Sequence, residues 1–194
     1  MTRTTNGVLA LAVAGVAFLA VACGKGAAEQ ALAAAGTALE QATPDIQKYL
    51  PGELKALTDG MASTKAAFEK GDYSAALTSA QGLLPKIQAA VAAAGKKKDE
   101  LMAAFNSLKG SLPATVQSLT GRLGQLASAK SLPKGLDQAT VEAAQANLGT
   151  VTQSWTDALA KFESGDIVTA VTQANDVKTK VEELAKVFLP AATK

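Results

Sequence analysis

The 194-residue chain contains no histidine and a single cysteine, Cys23. The first absence removes the commonest general base and most transition-metal sites, and the second forbids a disulfide within one chain. The glycine-rich patterns that cradle phosphates are missing too. Aromatic residues make up only 4% of the chain, and no β-branched alternating runs bounded by hairpin turns are present, which argues against a sheet. Neither sign of charge dominates, with 19 basic and 17 acidic residues. Without a concentrated basic face, a nucleic-acid partner is not expected. No spacing of serine, lysine or carboxylate nominates a catalytic pair. The chain therefore reads as a non-enzyme, with no catalytic residue, no metal and no cofactor.

The N-terminus carries the clearest pattern. Arg3 is its only charge, Val8 to Ala22 lacks any charged or amide side chain, and Cys23-Gly24-Lys25 follows. Fifteen apolar residues make a helix of roughly 22 Å, short of the roughly 30 Å hydrocarbon core that a permanent span crosses. That order of charge, apolar run and small residues is a signal peptide's, over residues 1–22. Leu19-Ala20-Val21-Ala22-Cys23 resembles the lipobox of bacterial lipoproteins. The resemblance implies cleavage before Cys23, acylation of its thiol and a membrane tether outside the cytoplasm. Where the family usually has leucine this chain has Ala20, and Ala20-Val21-Ala22 also fits an ordinary signal peptidase, which would give a secreted, unacylated chain. Some Gram-negative lipoproteins carry an inner-membrane Asp after the cysteine. Gly24 stands there instead, which implies the periplasmic face of the outer membrane for a Gram-negative source.

Cleavage removes Arg3 and none of the 17 acidic residues, leaving residues 23–194 close to neutral and rich in Ala, Leu, Gln, Lys and Glu. That composition is all-α, with enough length for one domain and a real core. Residues 23–43 are alanine-rich, with Leu32 and Leu39 as their only large apolar side chains, and read as a tether helix with little to bury. Thr43-Pro44-Asp45 reads as a helix start, with the folded bundle occupying 44–194.

Within it, residues 47–94 align with 141–188 at a constant offset of 94, with 11 identities over 48 positions. The identities cluster where Phe68-Glu69-Lys70-Gly71-Asp72 matches Phe162-Glu163-Ser164-Gly165-Asp166. On either side, apolar residues recur at steps of three and four, among them Leu50, Leu54, Leu57, Met61 and Phe68 in the first copy. In the second copy Val141, Leu148, Val151, Trp155 and Phe162 do the same. Each repeat is thus a long helical hairpin. Gly71 and Gly165 end one helix in the left-handed conformation, while Asp72 and Asp166 cap the next. Phe68, Trp155 and Phe162 are the expected core anchors. Seven-residue spacing predicts coiled-coil-like packing, with alanine seams bringing backbones close.

Between the hairpins, Leu101, Phe105, Leu108 and Leu112 form one stripe and Val116, Leu119, Leu123 and Leu126 another. Gly110-Ser111-Leu112-Pro113 predicts a kink or break, giving middle helices over 97–131. Lys96-Lys97-Lys98, followed by Asp99 and Glu100, reads as a solvated turn at a helix end. A loop around Leu132-Pro133-Lys134-Gly135 leads into the second hairpin. The fold expected is an antiparallel helical bundle of two hairpin repeats joined by this kinked or broken middle segment.

The start Tyr49-Leu50-Pro51-Gly52-Glu53-Leu54 and the turn Gly71-Asp72-Tyr73 resemble a family of short bacterial lipoproteins whose helical hairpin domain has no assigned function. About 45 residues carry the likeness; the second copy departs from it, with Ile167 in place of the tyrosine and no proline start. The resemblance implies an address and a fold, not a reaction. The Gly-Asp-Tyr turn also resembles that of tetratricopeptide repeats, but those recur every 34 residues. Glu69 with Asp72 and Glu163 with Asp166 recur as carboxylate pairs, yet calcium takes six or more oxygens, so capping is the better reading. Two functions remain. One is a membrane-tethered structural or protein-interaction module of the cell envelope, its partner another envelope protein. The alternative is an envelope binding protein that holds a small apolar ligand or lipid in a core lined by Met61, Phe105 and Trp155.

Overall fold

The computed structural model describes residues 24–189. It has five helices, α1 (Gly24–Tyr49), α2 (Pro51–Glu69), α3 (Tyr73–Ala127), α4 (Gln138–Glu163) and α5 (Ile167–Phe188). Among the described residues there is no strand. The protein is an all-α helical bundle.

Its organising element is α3, which runs for 55 residues without interruption, a length of about 82 Å. Its first half packs with α1 and α2, and its second half with α4 and α5. Gly24 lies beside Tyr73, Gly36 beside Met61 and Gly60 beside Leu83. In this first lobe α1 therefore runs parallel to α3 and α2 antiparallel to both. In the second lobe Phe105 meets Phe162 near the end of α4, and Arg122 meets Phe188 at the end of α5. There α4 runs antiparallel to α3 and α5 parallel to it. Each lobe is an up-down-up trio, and α3 is the last helix of one and the first of the other.

The two lobes have separate cores. In lobe 1 the buried cluster includes Ala31, Ala35, Leu39, Ile46, Leu54, Leu57, Ala80, Leu83 and Ile87. In lobe 2 it includes Phe105, Leu112, Leu119, Leu123, Val141, Val151, Ala174, Val177 and Val181. The repeat is visible in these cores at the same offset, since Leu54, Leu57, Ala76, Ala80, Leu83 and Ile87 are buried, and so are Leu148, Val151, Ala170, Ala174, Val177 and Val181.

Three boundaries differ from those expected from the sequence, and for one reason. Residues 24–43 are not a separate tether: they belong to α1, which continues through Pro44 to Tyr49. Ala28, Ala31, Ala35, Leu39, Ala42, Ile46 and Tyr49 are all buried, at steps of three and four that make one continuous face. Thr43 caps nothing; its hydroxyl donates to the Leu39 carbonyl at 2.7 Å. Of the two readings of 97–131, a single helix holds and a broken pair does not; that helix is part of α3, which begins at Tyr73, passes through both Pro85 and Pro113 and ends at Ala127. Nor do Lys96, Lys97 and Lys98 form a turn, since they lie exposed in the middle of α3.

Proline inside a helix costs about 3 kcal/mol through the lost donor and the clash with the preceding turn. Here Pro44, Pro85 and Pro113 all stand on exposed faces, as do Glu40, Gln81 and Lys109, whose carbonyls lose their usual donor. On an exposed face, solvent can take the place of the missing donor. Meanwhile Leu108, Leu112 and Leu119 around Pro113 are buried, each stabilising the fold by about 1.5–3 kcal/mol. Burial on one face thus offsets the break on the other.

Candidate functional site

The two Gly-Asp turns are built alike. Gly71 and Gly165 have φ of 84° and 83°, a conformation that glycine adopts without steric cost. Asp72 N–H donates to the Ala67 carbonyl at 3.0 Å, and Asp166 N–H to the Lys161 carbonyl at 2.9 Å. Beyond this backbone frame the copies diverge. Asp72 caps α3, its carboxylate accepting from Ala75 N–H at 3.1 Å. Asp166 makes no side-chain cap; its turn serves another purpose.

That turn sits against the end of lobe 1. Lys48 Nζ, at the end of α1, donates to the Gly165 carbonyl at 2.6 Å, and the same ammonium lies 5.7 Å from the centre of the Tyr49 ring. Tyr49 is buried. Burial pushes its hydroxyl above the usual range, and the nearby Asp45 and Asp166 carboxylates add to the shift. The joint between lobes therefore includes α3 itself, the buried Tyr49 and a cation that meets a helix-ending carbonyl, the negative end of the α4 dipole. The acceptor is backbone, so no side-chain motif announces it; a lysine one turn from a proline-initiated helix is the only sequence trace.

Asp72→Ala is expected to lower stability by about 1 kcal/mol, whereas Asp166→Ala removes no cap and should cost distinctly less. Urea unfolding of the two variants side by side measures the difference, and equal losses would contradict it. At the start of α4, Asp137 accepts from Thr140 N–H at 2.7 Å. The Thr140 hydroxyl and N–H together hold the Asp137 carboxyl below its usual range.

The expected core anchors occupy unequal places. Phe68 is half-buried at the outer end of lobe 1, edge-on to Tyr73 with ring centres 5.2 Å apart. Trp155 and Phe162 are also half-buried, and both stack on Phe105, at 5.6 Å and 4.2 Å. Phe105, on the middle stripe, is the one fully enclosed, with 0% exposure. Met61 belongs to the lobe 1 cluster and Phe105 and Trp155 to that of lobe 2, so the three cannot line one cavity. Cys23 lies outside the described residues.

Among the described residues no group of three or more His, Cys, Asp or Glu side chains is placed to hold a metal ion. No helix among them is long and apolar enough to cross a membrane. No family model, curated protein or solved structure matches the chain. Its class is defined by its own geometry: two three-helix lobes in tandem on one shared helix.

Proposed function

We propose that this chain is a lipid-anchored, non-catalytic module of the bacterial cell envelope, a two-lobe rod that holds a partner protein at a distance from the membrane. The observation that supports it best is the shared α3, which makes the two lobes one elongated body. Gly24 lies at the outer end of lobe 1 beside Tyr73. Attachment just before Gly24 therefore places lobe 2 at the far end, about 74 Å along α3 from residue 73 to residue 122. For a Gram-negative source, the periplasmic face of the outer membrane is the address that fits Gly24 after the cysteine.

Cys23→Ser should abolish both anchoring and modification. Intact-mass spectrometry of the wild type, purified from the membranes of its own source, is expected to show a diacyl or triacyl mass on a chain beginning at Cys23. The variant should leave the membrane fraction completely. An unmodified mature chain in the wild type would overturn the proposal.

A further inference from the structure

We infer that the outer end of lobe 2 holds a binding site for an anionic amphiphile, an acid group carried on an alkyl chain. The loop over residues 128–137 crosses this end, opposite the joint. Arg122 of α3, Lys134 and Leu136 of the loop, and Val187, Phe188 and Leu189 at the end of α5 line an open, shallow cavity of about 300 Å³. That volume is at the small end of the range for ligand sites.

Among the described residues the lining combines two cations with apolar side chains and includes no carboxylate. Among the described residues the ion pairs all lie elsewhere. Arg122 Nε donates to the Phe188 carbonyl at 3.4 Å, which ties the guanidinium to the end of α5 and orients its remaining donors. Two cations at one mouth suit an acid, through charge-assisted hydrogen bonds.

The apolar half of the site departs from the repeat. Val187, Phe188 and Leu189 stand where the first copy has Ala93, Ala94 and Gly95. In the first copy the helix runs on into the next lobe at this point; in the second it ends, with Phe188 buried in the lobe 2 core, Leu189 packed at its edge and Val187 left exposed. Val187 is 59% exposed, the most exposed large apolar side chain among the described residues. An alkyl chain laid across Val187 and Leu189 would remove that surface from water.

The test uses the chain carrying Cys23→Ser, so its result does not depend on acylation. Calorimetric titration with decanoate, kept below its micelle-forming concentration, is expected to show saturable one-to-one binding. Decanol should bind at least tenfold more weakly. Lys134→Glu, on an exposed loop where it does not threaten folding, should weaken decanoate at least tenfold, and Val187→Ser roughly threefold or more. A parallel arm measures co-sedimentation with vesicles of phosphatidylglycerol and of phosphatidylcholine. Binding to the former alone, without binding of free decanoate, assigns the acid to a bilayer headgroup; saturable decanoate binding assigns it to a free amphiphile. Equal affinity for decanol and decanoate, insensitivity to Lys134→Glu, or no binding in either arm overturns the inference.

Discussion

Phe105→Ala is expected to destabilise lobe 2 by about 3–5 kcal/mol, the cost of a large core truncation that leaves a cavity behind. The side chain is fully enclosed, and both Phe162 and Trp155 stack on it, so two aromatic contacts are lost along with the burial. Those neighbours are half-buried and cannot collapse fully into the space without dragging α4. Phe105→Leu, which keeps most of the volume, should cost only about 1–1.5 kcal/mol. The chain supplies its own local reporter, because Trp155 is its one tryptophan and touches Phe105. Tryptophan fluorescence follows lobe 2, while far-ultraviolet circular dichroism follows both lobes. In Phe105→Ala the fluorescence midpoint in urea should fall well below that of wild type. A midpoint unchanged from wild type would mean that Phe105 is not the centre of that core.

The architecture is partly legible in the sequence, and the reason lies in which signals are local. Apolar steps of three and four from Val141 to Phe162, and the recurrence of Gly-Asp at the 94-residue offset, specify helical hairpins through their own side chains. The face of α1 is of the same kind but is written in alanine. Ala28, Ala31, Ala35 and Ala42 are each small enough to pass as spacer, although together they bring α1 against α3. Breakers mislead for the converse reason. Pro44, Gly95, Gly110 and Pro113 describe local cost, while helix continuity is decided by the sum of that cost and the burial on the opposite face. Neither the Lys48–Gly165 contact nor the cavity at Arg122 and Lys134 could be read in advance. One ends on a backbone carbonyl, and the other joins residues from three elements brought together only by the fold.

The same balance between local cost and burial predicts where α3 is vulnerable. Around Pro85 and Pro113 the buried stripe continues on both sides, through Leu83 and Ile87 in one case and Leu112 and Leu119 in the other. Between Ala94 and Phe105 no residue is buried. From Gly95 to Glu100 every residue is exposed, and the local support is the Lys96–Glu100 ion pair at 4.0 Å, both partners exposed; apolar contact resumes only with the partly buried Leu101 and Met102. Such a pair contributes a few tenths of a kcal/mol at most. Lys97→Pro would therefore meet a cost of about 3 kcal/mol for proline inside a helix, with only the small Ala94 and the partly buried Leu101 and Met102 flanking it to offset that cost. It removes no core contact, since Lys97 is exposed in mid-helix. Helix α3 is expected to break at this point, leaving the contacts of Lys48 and Tyr49 with the Gly165-Asp166 turn to tie the lobes. Wild-type unfolding should give coincident fluorescence and circular dichroism transitions, and Lys97→Pro two separated ones, because the lobes then melt independently. Small-angle X-ray scattering should show a shorter maximum dimension and a broader distance distribution. Lys97→Ala, which keeps the helix, should match wild type in both measurements. Coincident transitions and unchanged scattering in Lys97→Pro would show that the lobes are coupled through their contact at the joint and not through the shared helix.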